Sequence, residues 1–120
     1  MAKTILLVDD DRNLVALMGR KLEAEGYTVL TAADGRDGLT KARTGGPDLV
    51  LLDLVMPGMN GFEVLKGLKA SPETAQVPVV MLTTQGDRKS IFEAERLGAA
   101  DFVVKGGDWT ELMRTVQKHT

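Results

Sequence analysis

The stretch LVLLDLVMPGMNG, residues 49–61, combines a strand, a charged strand end, a loop and the start of a helix. Residues 49–52 are all apolar, which is typical of a strand buried on both faces of a sheet. A proline and a glycine follow, and they predict a loop. Asn60 and Glu63 have the spacing of a capping box, which predicts a helix after the loop. Asp53 is therefore expected at the end of a buried strand.

The same unit of strand and helix recurs in both directions from this stretch. Apolar or β-rich runs predict strands at residues 5–8, 27–31, 49–52, 77–82 and 102–104. Capping residues predict the helix starts, at Asp11, Asp34, Asn60, Asp87 and Asp108, the last with Glu111 as a second candidate capping box. Strict alternation of strands and helices predicts the α/β class, with a doubly wound parallel sheet of five strands and five helices.

The composition is that of one globular domain, and it argues against several classes of protein. The chain has 120 residues, 43% of them apolar and 27% charged, so residues 1–120 are expected to form a single domain. The lack of cysteine excludes disulfides and zinc–thiolate sites. A net charge of −2 without a basic stripe argues against direct nucleic-acid binding. The apolar runs are too short for a membrane span and no signal peptide is recognised, so a cytoplasmic location is expected.

Polar side chains follow four of the five predicted strands. Asp9 and Asp10 follow the first strand, Asp53 the third, Thr83 the fourth and Lys105 the fifth. Because the carboxyl ends of parallel strands meet at one edge of a sheet, where ligands bind, we expect these side chains to converge. Each of them alone is more often a cap, a turn hydroxyl or a solvated charge. Their occurrence together at one edge favours a functional site.

The chemistry of these strand ends is that of phosphoryl transfer. Carboxylates at this density repel one another, and a hard divalent cation relieves the repulsion. Oxygen ligands favour Mg²⁺ or Mn²⁺. A metal ion beside a carboxylate, with an ammonium group and a hydroxyl nearby, supplies what phosphoryl transfer requires, because the cations stabilise charge on the phosphoryl oxygens. A carboxylate can itself be the nucleophile and form an acyl phosphate.

With these motifs in this order and spacing, the chain resembles the receiver domain of two-component response regulators over essentially its whole length. The segments that carry the resemblance are ILLVDDD at 5–11, LLDLVMPGMNG at 51–61, VVMLTT at 79–84, GAAD at 98–101 and FVVK at 102–105. The resemblance implies a flavodoxin-like receiver fold with strand order 2-1-3-4-5. It also implies a size similar to that of the stand-alone chemotaxis regulator, with no output domain in this chain.

The resemblance implies a role for each residue of the expected site. Asp53 would accept a phosphoryl group from a phosphohistidine of a sensor histidine kinase or a histidine phosphotransfer protein. Asp10 and Asp53 would bind Mg²⁺ directly, Asp9 would do so mostly through water, and Val55 would contribute its backbone carbonyl. Lys105 would pair with a phosphoryl oxygen. The chain would catalyse its own phosphorylation and dephosphorylation only, and it is not expected to be a turnover enzyme.

A second group of residues is implied to carry the response. Thr83 would turn its hydroxyl onto the phosphoryl group, and Phe102, unless it is simply a core aromatic, would follow it inward. This would change the face made by the fourth helix, fifth strand and fifth helix, which a downstream protein would bind. Trp109 is expected to pack against the sheet or to anchor that partner, and His119 is expected to be solvated near a frayed C-terminus.

The sequence departs from the family pattern at two positions. The family usually has a proline after the lysine, joined by a cis peptide bond, whereas here Gly106 follows Lys105. Because a cis bond to a non-proline residue costs about 3–4 kcal/mol, we predict a trans bond or a mobile loop, which puts the placement of Lys105 in question. Val55 is apolar and cannot orient a water molecule for hydrolysis, so a longer-lived phosphoryl group is predicted.

Two other classes of protein share parts of this pattern. A pseudo-receiver has the fold without phosphorylation. The complete set of Asp9, Asp10, Asp53, Thr83 and Lys105 argues against it, and Gly106 leaves some room for it. A small phosphatase with an aspartate nucleophile would explain Asp9 and Asp11. Such enzymes need a longer chain and a hydroxyl or small residue soon after the pair, where this chain has Arg12 and Asn13. A nucleotide-binding module is poorly supported, because no glycine-rich phosphate loop follows the first strand.

Overall fold

The computed structural model of the protein describes residues 2–84 and 88–120. In these residues, strands and helices alternate strictly along the chain, as predicted. The strands are β1 (Thr4–Val8), β2 (Thr28–Ala32), β3 (Leu49–Asp53), β4 (Val79–Thr83) and β5 (Asp101–Val104). The helices are α1 (Arg12–Ala24), α2 (Gly35–Gly45), α3 (Gly61–Ala70), α4 (Arg88–Arg96) and α5 (Trp109–His119).

The described strands form one parallel sheet in the order β2-β1-β3-β4-β5, which confirms the predicted topology. The chain moves outward from β1 to β2, returns to β3 on the other side of β1, and continues to β5. Such a reversal of direction places a crevice between β1 and β3 at the carboxyl edge of the sheet. No helix in the described residues is long and apolar enough to cross a lipid bilayer.

The core consists of two apolar layers, one on each face of the sheet. Alternate residues of β1 point to opposite layers, so Leu6 packs with α2, α3 and α4, whereas Leu7 packs with α1 and α5. The residues of β3 and β4 are buried throughout, which explains why their sequences are apolar without alternation up to the polar strand ends Asp53 and Thr83. This packing of helices on both faces fixes the positions of the strand ends.

Capping side chains begin four of the helices in the described residues. Asp11 accepts a hydrogen bond from the N–H of Leu14 at 3.1 Å, and Asp34 begins α2 in the same way. Asn60 and Glu63 form the predicted capping box, with hydrogen bonds of 3.0 and 3.2 Å. Asp87, the predicted cap of α4, lies outside the described residues.

Two predictions at the element ends were wrong. Asp108 caps α5, but its carboxylate accepts from the N–H of Thr110, so this end has a simple N-cap and not the predicted capping box. The fourth strand begins at Val79 and not at residue 77, because Val77 donates its N–H to the carbonyl of Thr74 and therefore belongs to the preceding turn.

The C-terminal end of α5 is attached to the rest of the molecule, and the expectation of a solvated His119 was wrong. The side chain of His119 is only 17% exposed, and Nε2 lies 3.1 Å from Oδ2 of Asp101. The hydroxyls of Tyr27 and Thr120 are 2.9 Å apart. Trp109 packs against the core layer on the α1 side, as predicted, with the ammonium of Lys21 5.0 Å from its ring centroid.

Replacing Asn60 with alanine is expected to destabilise the fold by about 1 kcal/mol. The substitution removes one half of the capping box, so the N–H of Glu63 loses its acceptor at the start of α3. Urea unfolding of both proteins would measure the change. Asn60→Asp is the matched control because aspartate caps as well as asparagine does. An Asn60→Ala protein as stable as wild type and Asn60→Asp would show that the cap does not stabilise α3.

Candidate phosphoryl-transfer site

The carboxyl ends of β1 and β3 bring three aspartates together. Val8 and Leu52 are partners in the parallel register, so the residues after them, Asp9 and Asp53, lie side by side. One carboxylate oxygen from each of Asp9, Asp10 and Asp53 lies within 4.8 Å of the others. Asp9 and Asp53 are buried, whereas Asp10 is exposed. The predicted acidic cluster is therefore present, with a buried floor and one member facing solvent.

Lys105 reaches this cluster from β5, two strands away from β3. Its Nζ lies 2.9 Å from Oδ2 of Asp9 and 3.4 Å from Oδ2 of Asp53, and its side chain is 13% exposed. It donates a hydrogen bond to Oδ1 of Asp9 at 3.2 Å, while the closer contact with Oδ2 does not have hydrogen-bond geometry. The ammonium group therefore lies against both buried carboxylates, as predicted.

The lysine keeps this position although a glycine follows it. The peptide bond between Lys105 and Gly106 is trans, which confirms the prediction. The backbone N–H of Lys105 donates to the carbonyl of Thr83, so the strand pairing continues to the lysine itself. Gly106 adopts a φ of +71°, a conformation that glycine reaches without strain. The chain turns away after the lysine, and its side chain remains directed at the carboxylates.

Burial and a neighbouring carboxylate make the side chain of Asp53 more basic. Burial raises the pKa of Asp53 from its ordinary 3.8 to about 6, and the neighbouring carboxylate of Asp9 adds to the increase. Lys105 and the N–H of Val55, 3.4 Å from Oδ1 of Asp53, oppose it. Burial would lower the pKa of Lys105, but the two carboxylates together outweigh it, so this pKa is raised. The pocket thus holds more negative charge than one ammonium group neutralises.

The residues of this pocket fit a divalent cation with hard oxygen ligands. Both carboxylate oxygens of Asp9 lie near the Lys105 ammonium group, at 3.2 and 2.9 Å, so Asp9 is placed at the edge of an ion site and its charge is partly balanced by the lysine. Asp53 and the exposed Asp10 supply further carboxylate oxygens within reach of the same point. Such a donor set suits Mg²⁺, which takes one or two carboxylates and keeps several waters. A softer metal would require nitrogen or sulfur ligands, which the described part of this cluster lacks.

Thr83 and Phe102 occupy neighbouring strands but have different surroundings. Thr83 ends β4, next to β3, and its Oγ1 is buried without a hydrogen-bond partner among the described residues. Phe102 lies on β5 opposite Met81, and 36% of its side chain is exposed, so it is not the core aromatic that we considered as an alternative. A buried hydroxyl without a partner is costly, which makes Thr83 a group that a ligand could satisfy.

One residue that the sequence reading treated only as part of a motif has a clear structural function. A Cβ added to Gly61 would lie 2.5 Å from the carbonyl oxygen of Asp53 and 2.7 Å from Cα of Leu54. Both are backbone atoms, so they cannot move aside without moving Asp53. Gly61 therefore lets α3 begin against the strand end that carries the carboxylate of Asp53. A glycine at the first helical position, where alanine would otherwise be better, was the available signal.

Comparison with known proteins shows the family to which this chain belongs. Residues 5–117 match the response regulator receiver domain family, and the chain belongs to that family. It is 38% identical over 112 residues to protein PilH of Pseudomonas aeruginosa, with 93% of each chain covered. It is 42% identical over 120 residues to the response regulator PleD of Caulobacter vibrioides. Its fold is similar to that of the chemotaxis protein CheY4 of Vibrio cholerae, with a TM-score of 0.95 and 32% identity over both complete chains.

The relatives differ in length. The chain spans nearly all of PilH but only 26% of PleD and 43% of the alkaline phosphatase synthesis transcriptional regulatory protein PhoP of Bacillus subtilis. The receiver unit that they share with this chain belongs to two-component signalling.

Proposed function

We propose that this receiver accepts a phosphoryl group on Asp53 from the phosphohistidine of a sensor histidine kinase or a histidine phosphotransfer protein. The observation that supports this most is the convergence of the Asp9, Asp10 and Asp53 carboxylates with the Lys105 ammonium group at one strand edge. Family membership supports the same reaction and a cytoplasmic location. The chain would act on itself and release no product other than phosphate.

The transfer itself is a displacement at phosphorus. A carboxylate oxygen of Asp53 attacks, an O–P bond forms, and the N–P bond to the histidine of the donor breaks. Asp53 must be ionised for this, and its pKa of about 6 allows it at neutral pH. Lys105, 3.4 Å from Oδ2, is placed to balance the charge of the incoming phosphoryl oxygens.

The acidic cluster would hold Mg²⁺ or Mn²⁺ during this reaction. Asp10 and Asp53 are the direct carboxylate ligands in our proposal, Asp9 contributes mostly through water, and the Val55 carbonyl completes the protein's share. When bound, the cation neutralises charge on the carboxylates and on the phosphoryl oxygens. It also relieves the repulsion between Asp9 and Asp53 that raises the pKa of Asp53 in its absence.

The response to phosphorylation would involve the Thr83 hydroxyl and the Phe102 ring. An acyl phosphate on Asp53 would give the unpartnered Oγ1 of Thr83 an acceptor, and Phe102 would then turn inward from its present, partly exposed position. The face of α4, β5 and α5 would change with it. Phe92 and Val104 of this face are 67% and 41% exposed, which suits binding of a downstream protein.

The function is tested by incubating the protein with acetyl phosphate or phosphoramidate and measuring its intact mass with Mg²⁺ and with a chelator. We expect a gain of one phosphoryl group with Mg²⁺ and none with the chelator. A pseudo-receiver would gain nothing under either condition. A phosphatase would instead turn over a small phosphoester such as p-nitrophenyl phosphate many times per chain, and we expect no such turnover.

Replacing Val55 with asparagine is expected to speed hydrolysis of the acyl phosphate. The Val55 side chain is 73% exposed beside Asp53 and offers no group that could hold a water molecule. An amide could orient the attacking water, and one neutral hydrogen bond, worth roughly 0.5–1.5 kcal/mol, corresponds to a rate increase of about 2- to 10-fold. Decay of the phosphorylated mass after removal of the donor would measure the rate. Val55→Leu is the control and should behave as wild type; slower hydrolysis in Val55→Asn would refute the argument.

A further inference from the structure

Asp101, the first residue of β5, connects that strand to the last turn of α5. Its Oδ1 accepts a hydrogen bond from the backbone N–H of Phe102 at 2.9 Å. Its Oδ2 lies 3.1 Å from Nε2 of His119 and 3.9 Å from Nζ of Lys118. One carboxylate therefore holds the backbone of Phe102 with one oxygen and the end of α5 with the other.

This connection is separate from the phosphoryl-transfer site. Asp101 lies at the beginning of β5, whereas Lys105 follows its end, so the two are at opposite edges of the sheet. The Asp101 and His119 side chains are 27% and 17% exposed, so solvent screens their contact only in part. Lys118 is 70% exposed and farther away, and it contributes little. Since an ionised carboxylate can only accept, Nε2 of His119 carries the hydrogen of this bond.

The contact bears on Phe102 through its backbone N–H, from which the Asp101 carboxylate accepts a hydrogen bond. Its backbone is paired with β4 through the Met81 register, and its side chain is 36% exposed. The α5 helix packs on the sheet through Leu112 and Val116, on the layer opposite to α4. In the described residues, no other side chain joins the end of α5 to the backbone of Phe102 in this way. The link therefore joins the backbone of Phe102 to the end of α5.

We propose that Asp101 is a positioning residue that, with His119, holds Phe102 in its outward orientation and so opposes the response to phosphorylation. This inference rests on the role proposed above for Phe102. Asp101 touches neither the phosphoryl group nor the cation, and it acts by biasing a two-state element. Weakening the link lowers the cost of moving Phe102 inward, and linkage then requires tighter binding of any ligand that selects the inward state.

The test uses beryllofluoride, which mimics an acyl phosphate on a carboxylate, at saturating Mg²⁺. The protein is labelled with 4-fluorophenylalanine, and the Phe102 signal among its three phenylalanines is assigned with Phe102→Leu. Asp101→Asn and His119→Leu are compared with wild type, and Lys118→Ala is the control. We expect both link variants to bind beryllofluoride roughly 5-fold more tightly, with Mg²⁺ affinity unchanged. Their ligand-free Phe102 signals should move toward the position seen in beryllofluoride-bound wild type.

A purely structural role would give a different result. The link variants would then melt at a lower temperature but bind beryllofluoride as wild type does, or more weakly, and their Phe102 signal would not approach the bound position; that result overturns the proposal. A wild-type Phe102 signal that ignores beryllofluoride, in a protein that still gains a phosphoryl group, would refute the switch and the positioning role together. Phosphorylation of Asp53 would stand in that case.

Discussion

Replacing Lys105 with methionine is expected to slow phosphorylation of Asp53 by about 10²–10³-fold at saturating Mg²⁺. Methionine has a similar length but no charge, so the cation that lies 2.9 Å from Asp9 and 3.4 Å from Asp53 is lost. Removing one preorganised group that stabilises charge in a transition state costs a factor of this size. The rate of phosphoryl gain with acetyl phosphate, followed by intact mass, measures the effect.

The matched control for this prediction is a lysine outside the pocket. Lys41 pairs with Asp37 on α2 at 3.1 Å and is 42% exposed, so Lys41→Met should phosphorylate at the wild-type rate. Mg²⁺ affinity should survive in Lys105→Met, because the carboxylates remain and a competing positive charge has gone. A variant that is phosphorylated as fast as wild type would show that the ammonium group near Asp53 has no part in the transfer.

Replacing Asp53 with asparagine is expected to stabilise the metal-free protein at pH 7 by about 1–3 kcal/mol. The pKa of Asp53 is raised to about 6 in the fold from its ordinary 3.8, so the folded state disfavours the ionised form. A carboxyl group with a raised pKa stabilises the folded state below pH 4, and this stabilisation is lost as the pH rises toward 6. The advantage of Asp53→Asn should therefore be full at pH 7 and vanish near pH 4.

Thermal or urea unfolding across this pH range, with and without Mg²⁺, tests the prediction. The cation should stabilise wild type more than Asp53→Asn, because it binds the folded state through the carboxylate that the variant lacks. Asp34→Asn removes one negative charge at an exposed helix cap, where asparagine serves equally well, and it should change little. If Asp53→Asn is less stable than wild type at pH 7, burial does not disfavour the ionised form of Asp53 in the folded state.

The order of strands and helices could be predicted from the sequence because the patterns that indicate each element lie within a few neighbouring residues. Residues 49–52 form a continuous apolar run, and the structure buries all of β3 between two layers of helices. Asn60 and Glu63 stand three residues apart and form the capping box that their spacing indicates. Where the sequence pattern is weaker, the predicted ends of the elements were wrong by one or two residues. The fourth strand begins later than predicted because the N–H of Val77 is used by a turn, which its β-branched side chain does not reveal.

The sequence predicts which residues lie at the carboxyl ends of the strands, and it predicts the site only to that extent. The proximity of Asp9 and Asp53 follows from the parallel order of β1 and β3. The approach of Lys105 across β4 depends on the length of its side chain and on pairing of its backbone with Thr83. The raised pKa of Asp53 depends on burial by distant residues and has no local signature. The pairing of His119 with Asp101 joins residues 18 positions apart, which the sequence pattern around either residue does not indicate.

The most direct test of the proposed function is to compare phosphoryl gain in wild type, Asp53→Ala and Asp11→Ala. Asp11 is two residues from Asp9 but serves as the cap of α1, so its loss should weaken the helix and leave the reaction intact. After incubation with Mg²⁺ and acetyl phosphate, we expect one phosphoryl group on wild type and Asp11→Ala and none on Asp53→Ala. A phosphoryl group on Asp53→Ala, or none on wild type, would contradict the assignment of Asp53 as the acceptor.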